Sequence, residues 1–348
     1  LPSVDEIEVI APHFKRRLSG VTSTVIQLVP RQVDAGVRIA TLGPGLPSHL
    51  PRIGFFDLLR CWRRPRGARF RIWHARRNIE MIVGVLLRDL LRMPMKLVFT
   101  SAAQRRHTRF TKWLIRRMDA VIATSARSGS FLDVPHNVVM HGIDTTLFHP
   151  AGDEDDRFAA TGLPGKYAVG CTGRVRHQKG TDLFVEAMLD LLPTYPDWTA
   201  VITGWIAPEH QPFADALKSR IAAAGLADRL LFLGEVDDVR IWYRRFSLFV
   251  APSRNEGFGL TPLEAMASAT PVVVSDAGAY AEMVLPGETG MSVAAGDGAA
   301  LRDAIEPYLA EPAMAARHGQ AALAYVRQTF DISREVEGVD RVYARLRR

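Results

Sequence analysis

Short apolar runs alternate with longer stretches in which apolar residues recur every three or four positions, and the alternation persists along the whole chain. Runs of the first kind are buried strands and stretches of the second are amphipathic helices, so the pattern implies strand-helix-strand units and parallel sheets. In the first half, Ile7–Ala11, Arg38–Leu42, Phe70–His74, Leu97–Thr100, Ala120–Thr124 and Val138–His141 read as strands. Between them Val21–Leu28, Asn78–Leu91 and His107–Arg117 read as helices. In the second half the strands are Tyr167–Thr172, Thr199–Gly204, Leu230–Gly234, Leu248–Ala251 and Pro271–Ser275, and the helices are Lys179–Leu192, Phe213–Ala224, Thr261–Ser268 and Ala299–Leu309. A last helical pattern, Ser333–Leu346, has no strand after it.

Two such series in succession predict an α/β protein with two doubly wound, Rossmann-like domains facing a cleft. The expected limits are residues 1–150, residues 151–330 and a terminal helix in residues 331–348. The polar, turn-forming stretch from Pro150 to Pro164 marks the boundary, and a length of 348 residues suits two domains of ordinary size. Ligands of open α/β sheets bind outside the carboxyl ends of strands, so the cleft is the expected site.

Charge divides the two halves. Residues 1–150 carry 24 Lys/Arg against 10 Asp/Glu, and the remainder carries 20 against 27, so a net +7 conceals halves of +14 and −7. The excess is concentrated between Arg60 and Arg117, among Trp62, Phe70, Trp73 and Trp113. Basic residues mixed with aromatic ones suit nucleic acid or an anionic membrane interface. The most apolar stretch, Met81–Phe99, is cut by Arg88, Asp89, Arg92 and Lys96, so no membrane span is expected. The acidic start and the two cysteines, Cys61 and Cys171, point to a cytoplasmic protein without a disulfide framework.

The chemistry concentrates in the second half. Glu256 and Glu264 flank the turn Gly257-Phe258-Gly259-Leu260 and the start of a helix at Thr261-Pro262. Glycines let backbone approach a ligand, free N–H groups at a helix start attract phosphate, and carboxylates accept from sugar hydroxyls. Glu264 has a second reading, since Thr261-Pro262-Leu263-Glu264 is a capping box. A further glycine turn, Gly173-Arg174 through Lys179-Gly180, offers two cations suited to a diphosphate, or a solvated basic turn. Ser19-Gly20-Val21-Thr22 is a weaker candidate for backbone approach, and His74 ends a strand on the cleft side, where it suits either a substrate contact or a capping or core-edge role. The histidines are scattered, and nucleophile signatures and dinucleotide or Walker loops are absent from the sequence, so neither a metal nor a cofactor is expected.

These motifs, with Leu233-Gly234-Glu235-Val236 and His141-Gly142-Ile143-Asp144 through Phe148-His149-Pro150, resemble the retaining family-four glycosyltransferases of GT-B fold. The first half, through Phe14-Lys15-Arg16-Arg17-Leu18-Ser19-Gly20, Trp73-His74-Ala75-Arg76-Arg77-Asn78 and Phe99-Thr100-Ser101-Ala102-Ala103-Gln104-Arg105-Arg106-His107, is similar to the lipopolysaccharide-core mannosyltransferases of rhizobial and related bacteria. The resemblance implies a metal-independent hexosyltransferase at the cytoplasmic face of the inner membrane. It would move mannose from GDP-mannose to the inner Kdo of a Kdo-lipid A precursor. Carried over by position, Arg174 and Lys179 hold the diphosphate, Glu264 the ribose, and Glu256 with residues 257–260 the sugar. Gly173, Gly234 and Val236 complete the donor site, Gly20 lets the first domain approach the phosphates, and the terminal helix crosses back to that domain. Lys15, Arg16, Arg17, His74, Arg76 and Arg105 would face the anionic acceptor. The histidine that many members carry after the fourth strand is replaced by Thr100 or Ser101, a role left open to His74 or His107. The rival readings are a transferase for another nucleotide-sugar and anionic acceptor, a nucleotide-sugar 2-epimerase, and a basic nucleic-acid-binding protein.

Overall fold

The computed structural model describes residues 3–15 and 20–347, which form two compact units. One unit comprises the chain up to Gly142 together with the residues from Ile332 onward; the other is Ile143–Asp331. The crossing at Gly142 lies eight residues before the expected boundary at Pro150. The reason is local: Ile143 N–H donates to Phe330 O at 2.8 Å and Thr145 to Asp331 at 2.6 Å, which ties the segment to the far end of the second unit. The polar stretch after Pro150 is a surface turn of that unit.

The first unit contains β1 (Val9–Pro12), α1 (Gly20–Asp34), β2 (Ile39–Leu42), β3 (Arg52–Ile53), β4 (Arg71–Ala75), α2 (Asn78–Val85), β5 (Met95–Ser101), α3 (Arg109–Arg116), β6 (Ala120–Ala123), α4 (Ala126–Gly129) and β7 (Asn137–Val138). The strands are parallel in the order β3-β2-β1-β4-β5-β6-β7. Side chains alternate across this sheet, as the pleat requires. Ile10, Trp73, Leu97 and Phe99 fill one core, and Val9, Ile72, Val98 and Ile122 fill another.

The second unit contains β8 (Tyr167–Thr172), α5 (Thr181–Leu191), β9 (Trp198–Thr203), α6 (Gln211–Ala223), β10 (Leu230–Gly234), α7 (Val239–Arg245), β11 (Leu248–Ala251), α8 (Thr261–Ala267), β12 (Val272–Ser275), α9 (Tyr280–Met283), β13 (Gly290–Val293), α10 (Gly298–Ala310) and α11 (Pro312–Thr329). Its order, β10-β9-β8-β11-β12-β13, is the Rossmann arrangement, and the direction of winding reverses between β8 and β11. The central strands are buried throughout, which explains why β12 is a bare Val-Val-Val-Ser run.

The last helix, α12 (Ile332–Arg347), belongs to the first unit. Ile332, Val336, Val339 and Tyr343 fall on one face at helical spacing and pack beside Leu28, Val25 and Val29 of α1. Glu335 fixes its start by accepting from Gly142 N–H at 2.9 Å and pairing with His141 Nδ1 at 2.8 Å. No helix among the described residues is long and apolar enough to cross a membrane.

Arg71 of β4 is fully buried and faces only carbonyls: Ile7 and Val4 at 2.9 Å, Arg63 at 3.1 Å and Cys61 at 3.4 Å. It therefore holds two surface segments to the sheet. Arg71→Met removes every one of these donors at once, and a urea melt of the variant should show a loss of about 3 kcal/mol or more. A loss under about 0.5 kcal/mol would mean that the segments are held by other contacts.

Candidate functional site

Loops leaving the carboxyl ends of neighbouring strands part where the winding reverses, so the second unit opens a crevice between β8 and β11. Thr172 ends β8, Gly173 and Arg174 follow it, and Ser253 follows β11; with Lys179 and Tyr280 they line a cavity there. The sequence thus places its two chemistry-bearing turns side by side.

Lys179 closes a single turn of 3₁₀ helix, His177–Lys179, and Gly180 follows with φ of +71°. A Cβ on Gly180 would lie 1.9 Å from Pro252 O, so only glycine lets this turn rest against the loop after β11. Close approach brings Lys179 Nζ onto Glu256 Oε2, with side chains 22% and 18% exposed. The other Glu256 oxygen accepts from Gly257 N–H at 3.0 Å, and Tyr280 OH donates to Oε2 at 3.4 Å. Burial works against the Lys179 ammonium, but Tyr280 and Glu256 outweigh it and raise its pKa, so it stays charged. Burial also drives the Tyr280 hydroxyl up to about 12, which keeps it a donor.

A second ion pair fixes the Glu256 loop from behind. Arg254 spans both Asp182 oxygens at 2.7 Å and donates to His177 O at 2.8 Å, while its backbone N–H donates to Gln178 O at 2.9 Å. Bidentate geometry of this kind restricts orientation as well as distance. Arg174 differs: it is exposed, its guanidinium sits 5.9 Å from the Trp205 ring, and among the described residues it has no hydrogen bond or ion pair. The structure leaves that charge available to an anion.

Glu264 departs from the capping-box reading. The N-cap is Leu260, so Glu264 falls at the fourth helical position, one too far along to reach back, and its N–H makes the ordinary helical bond to Leu260 O. Its carboxylate instead accepts from Tyr243 OH at 2.6 Å. Burial raises its pKa against the lowering effects of Tyr243 and Lys179. Gly259 is required by φ of +80° and by a Cβ position 2.3 Å from the Tyr280 ring. Phe258 is buried, and Leu260 is half-buried at the helix start. Gly234 ends β10 and accepts from Gly204 N–H at 2.6 Å, while Gly173 N–H donates to Thr203 O at 2.9 Å. These bonds lace the three strand ends, and Val236 lies half-buried in the next loop.

In the first unit the winding reverses between β1 and β4. His13 there meets Arg77 at 3.0 Å, and burial with the Arg77 charge lowers its pKa to about 4. Sequence reasoning missed His13, although its position directly after β1 was visible. His74 corrects an expectation: it is 1% exposed, with Nδ1 on Tyr343 OH at 2.6 Å and Nε2 on Thr100 Oγ1 at 2.7 Å. Both nitrogens are engaged inside the unit, so the ring ties β4 to α12 and β5 and does not face an acceptor. Ser101 is buried, and His107 Nε2 lies 3.5 Å from its hydroxyl. Arg76 is half-buried, with Nη1 3.4 Å from His74 O, while Lys15 and Arg105 are exposed. Gly20 opens α1; Arg16, Arg17, Leu18 and Ser19 lie outside the described residues.

The family model for glycosyl transferases group 1 matches residues 153–324. The chain is 64% identical over 343 residues to a lipopolysaccharide core biosynthesis mannosyltransferase of Rhizobium leguminosarum bv. viciae, covering 99% of this chain and 97% of that one. It is 54% identical over 348 residues to another of that name from Rhizobium meliloti, covering 99% of both. Among solved structures, Anabaena HepE in complex with UDP superposes with a TM-score of 0.83 over 97% of this chain and all of that one, at 20% identity, a likeness of fold.

The raised Glu264 pKa has a consequence for stability. A carboxyl shifted upward on folding costs nothing while it is protonated in both states, below its ordinary 4.5, and opposes folding above its folded pKa. Glu264→Gln should therefore raise the melting temperature of the ligand-free protein at pH 7.5, and the gain should vanish as the pH falls below 4.5. A variant that melts at or below wild type at pH 7.5 contradicts this account of the carboxylate.

Proposed function

The chain belongs to the lipopolysaccharide-core mannosyltransferases within the group 1 glycosyltransferases, and from that premise we propose that it moves mannose from GDP-mannose to the inner Kdo of a lipid A precursor, with retention and without a metal. The observation that carries the donor half is the meeting of Lys179, Glu256, Tyr280 and the unpaired Arg174 where the second sheet reverses its winding. Two cations on one turn suit a diphosphate, and carboxylates held by hydroxyl and ammonium donors suit a hydroxyl-rich ligand.

In this reading Arg174 and Lys179 grip the diphosphate, Glu264 the ribose, and Glu256 the sugar hydroxyls beside the backbone of residues 257–260. The acceptor hydroxyl oxygen bonds to the anomeric carbon on the face from which GDP leaves. The anomeric C–O bond breaks with its electrons passing to the diphosphate, and the hydroxyl proton goes to the leaving phosphate oxygen. Charge develops on that phosphate, where Lys179 is held in advance by Glu256 and Arg174 stands nearby on the same turn, and preorganised electrostatic stabilisation of this kind dominates the rate enhancement of many enzymes. Glu256 is not assigned as a nucleophile, because by position it is the residue that grips the hydroxyls of the transferred sugar. The exposed cations Lys15 and Arg105 of the first unit suit Kdo carboxylates and lipid A phosphates. They also suit peripheral contact with the anionic cytoplasmic face of the inner membrane.

A thermal-shift panel tests the donor, and turnover tests the site. GDP-mannose should stabilise the protein while UDP-sugars leave it unmoved; a UDP-sugar response instead would replace the donor. Glu256→Ala should lose at least roughly 100-fold in transfer, the scale for removing a group that acts at the reacting centre. Near-normal transfer in that variant would sink the site assignment. Donor consumption without any acceptor would favour an epimerase.

A further inference from the structure

The segment Phe55–Trp62 is a 3₁₀ helix, in which residues three apart eclipse one another. Phe55, Leu58 and Cys61 form one ridge that runs inward: Cys61 is fully buried, Leu58 packs on the core, and the Phe55 ring, 58% exposed, stacks on Phe14 at 6.2 Å. Phe56, Leu59 and Trp62 form a second ridge, exposed by 89%, 61% and 46%. No comparable run of bare apolar side chains is needed to fold a sheet edge. Arg71 pins the end of this helix through the carbonyls of Cys61 and Arg63, so the ridge is presented rigidly.

The ridge continues across contacts between segments. Trp62 Nε1 donates to Leu91 O at 2.8 Å, beside the exposed Leu86 and Leu90. Asp89 in that turn pairs with Arg117, whose guanidinium lies 5.7 Å from the Trp113 ring, and Trp113 stacks on Phe110 at 6.1 Å. Three exposed apolar groups are therefore linked on the first unit.

Charge says what covers them. From Phe55 to Asp119 the sequence holds 17 Lys/Arg against four acids, Asp57, Glu80, Asp89 and Asp119. Asp57 accepts from Gly54 N–H, and Asp119 pairs with Arg88 and Lys96. Glu80 is consumed by the N–H groups of Arg76 and Arg77 and the Arg77 guanidinium, and Asp89 by Arg88 and Arg117. Arg60, Arg63, Arg64 and Arg92 are exposed, and among the described residues their side chains make no hydrogen bond or ion pair. A second copy of the chain would bring cations against cations. A bilayer with anionic headgroups satisfies the arginines and the ridge together, headgroups to the first and acyl boundary to the second.

We propose that the 3₁₀ ridge Phe56-Leu59-Trp62, with its unpaired arginines, is the surface by which the first unit seats on an anionic membrane. The proposal rests on the membrane reading given above and assigns it a place. Flotation with vesicles of phosphatidylglycerol in phosphatidylcholine, against phosphatidylcholine alone, tests it at low salt. Wild type should float only with the anionic vesicles. Phe56→Ser with Leu59→Ser should weaken binding roughly tenfold by removing apolar insertion. Arg60→Glu, Arg63→Glu and Arg64→Glu together should do so by at least as much. Because Cys61 and Cys171 are buried, a solvatochromic dye on Phe56→Cys reports the ridge alone, and its emission should shift to the blue on anionic vesicles. Wild-type flotation by both variants, with an unshifted dye, overturns the ridge and leaves membrane contact standing. Failure of wild type to float overturns both. Loss of a dimer in the serine variant, seen by light scattering with flotation unchanged, would assign the ridge to a second copy instead.

Discussion

An ammonium held against a carboxylate, Lys179 against Glu256, organises the strand ends of the second unit. Each partner comes from a different side of the point where the sheet reverses, so the contact closes the crevice floor and fixes both loops at once. Charges this far from bulk water are costly alone, and removal of either partner strands the other. The surroundings are built accordingly: Tyr280 supplements the pair, Gly180 permits the approach, and the Arg254–Asp182 pair holds the glutamate's loop in register.

The arrangement also distributes the work of binding. Among the described residues the Lys179 charge is balanced by Glu256, whereas Arg174 has only the face of Trp205. On the proposed reading an incoming diphosphate meets the unpaired guanidinium first and then competes for the ammonium, which turns Glu256 toward sugar hydroxyls. Binding of the donor's two ends is thereby coupled through one ion pair. At the first unit's own reversal point Arg77 pairs with the buried Glu80 and His13, its pKa lowered to about 4, is uncharged at pH 7, so Arg76 supplies the positive charge there, in keeping with an anionic acceptor.

Much of the second unit was legible because its strands are runs of β-branched and aromatic residues closed by glycine or proline. Tyr167–Thr172, Leu230–Gly234 and Leu248–Ala251 fall where their patterns end. β13, Gly-Met-Ser-Val, has no such run, and α11 is alanine-rich with Gly319 pressed on Ala269 O, so neither announced itself. The helix expected over Asn78–Leu91 changes to π geometry at Leu86, and Leu86, Leu90 and Leu91 are exposed. Of the site, the glycines and charges were visible, but Tyr243 and Tyr280 were not: an aromatic on a helix reads as core, and only tertiary packing aims its hydroxyl. Glu264 was ambiguous for want of one residue in the helix start, and His74 stayed open between the cleft and the core edge because Tyr343, which it meets, lies 269 positions away.

The most direct test of this account is a calorimetric titration of GDP into wild type, Glu256→Gln and Lys179→Met. If Glu256 restrains Lys179 and Lys179 grips the diphosphate, the glutamine variant binds GDP as tightly as wild type or more so, and the methionine variant binds it roughly tenfold more weakly. GDP affinity that falls with Glu256→Gln and survives Lys179→Met would contradict it.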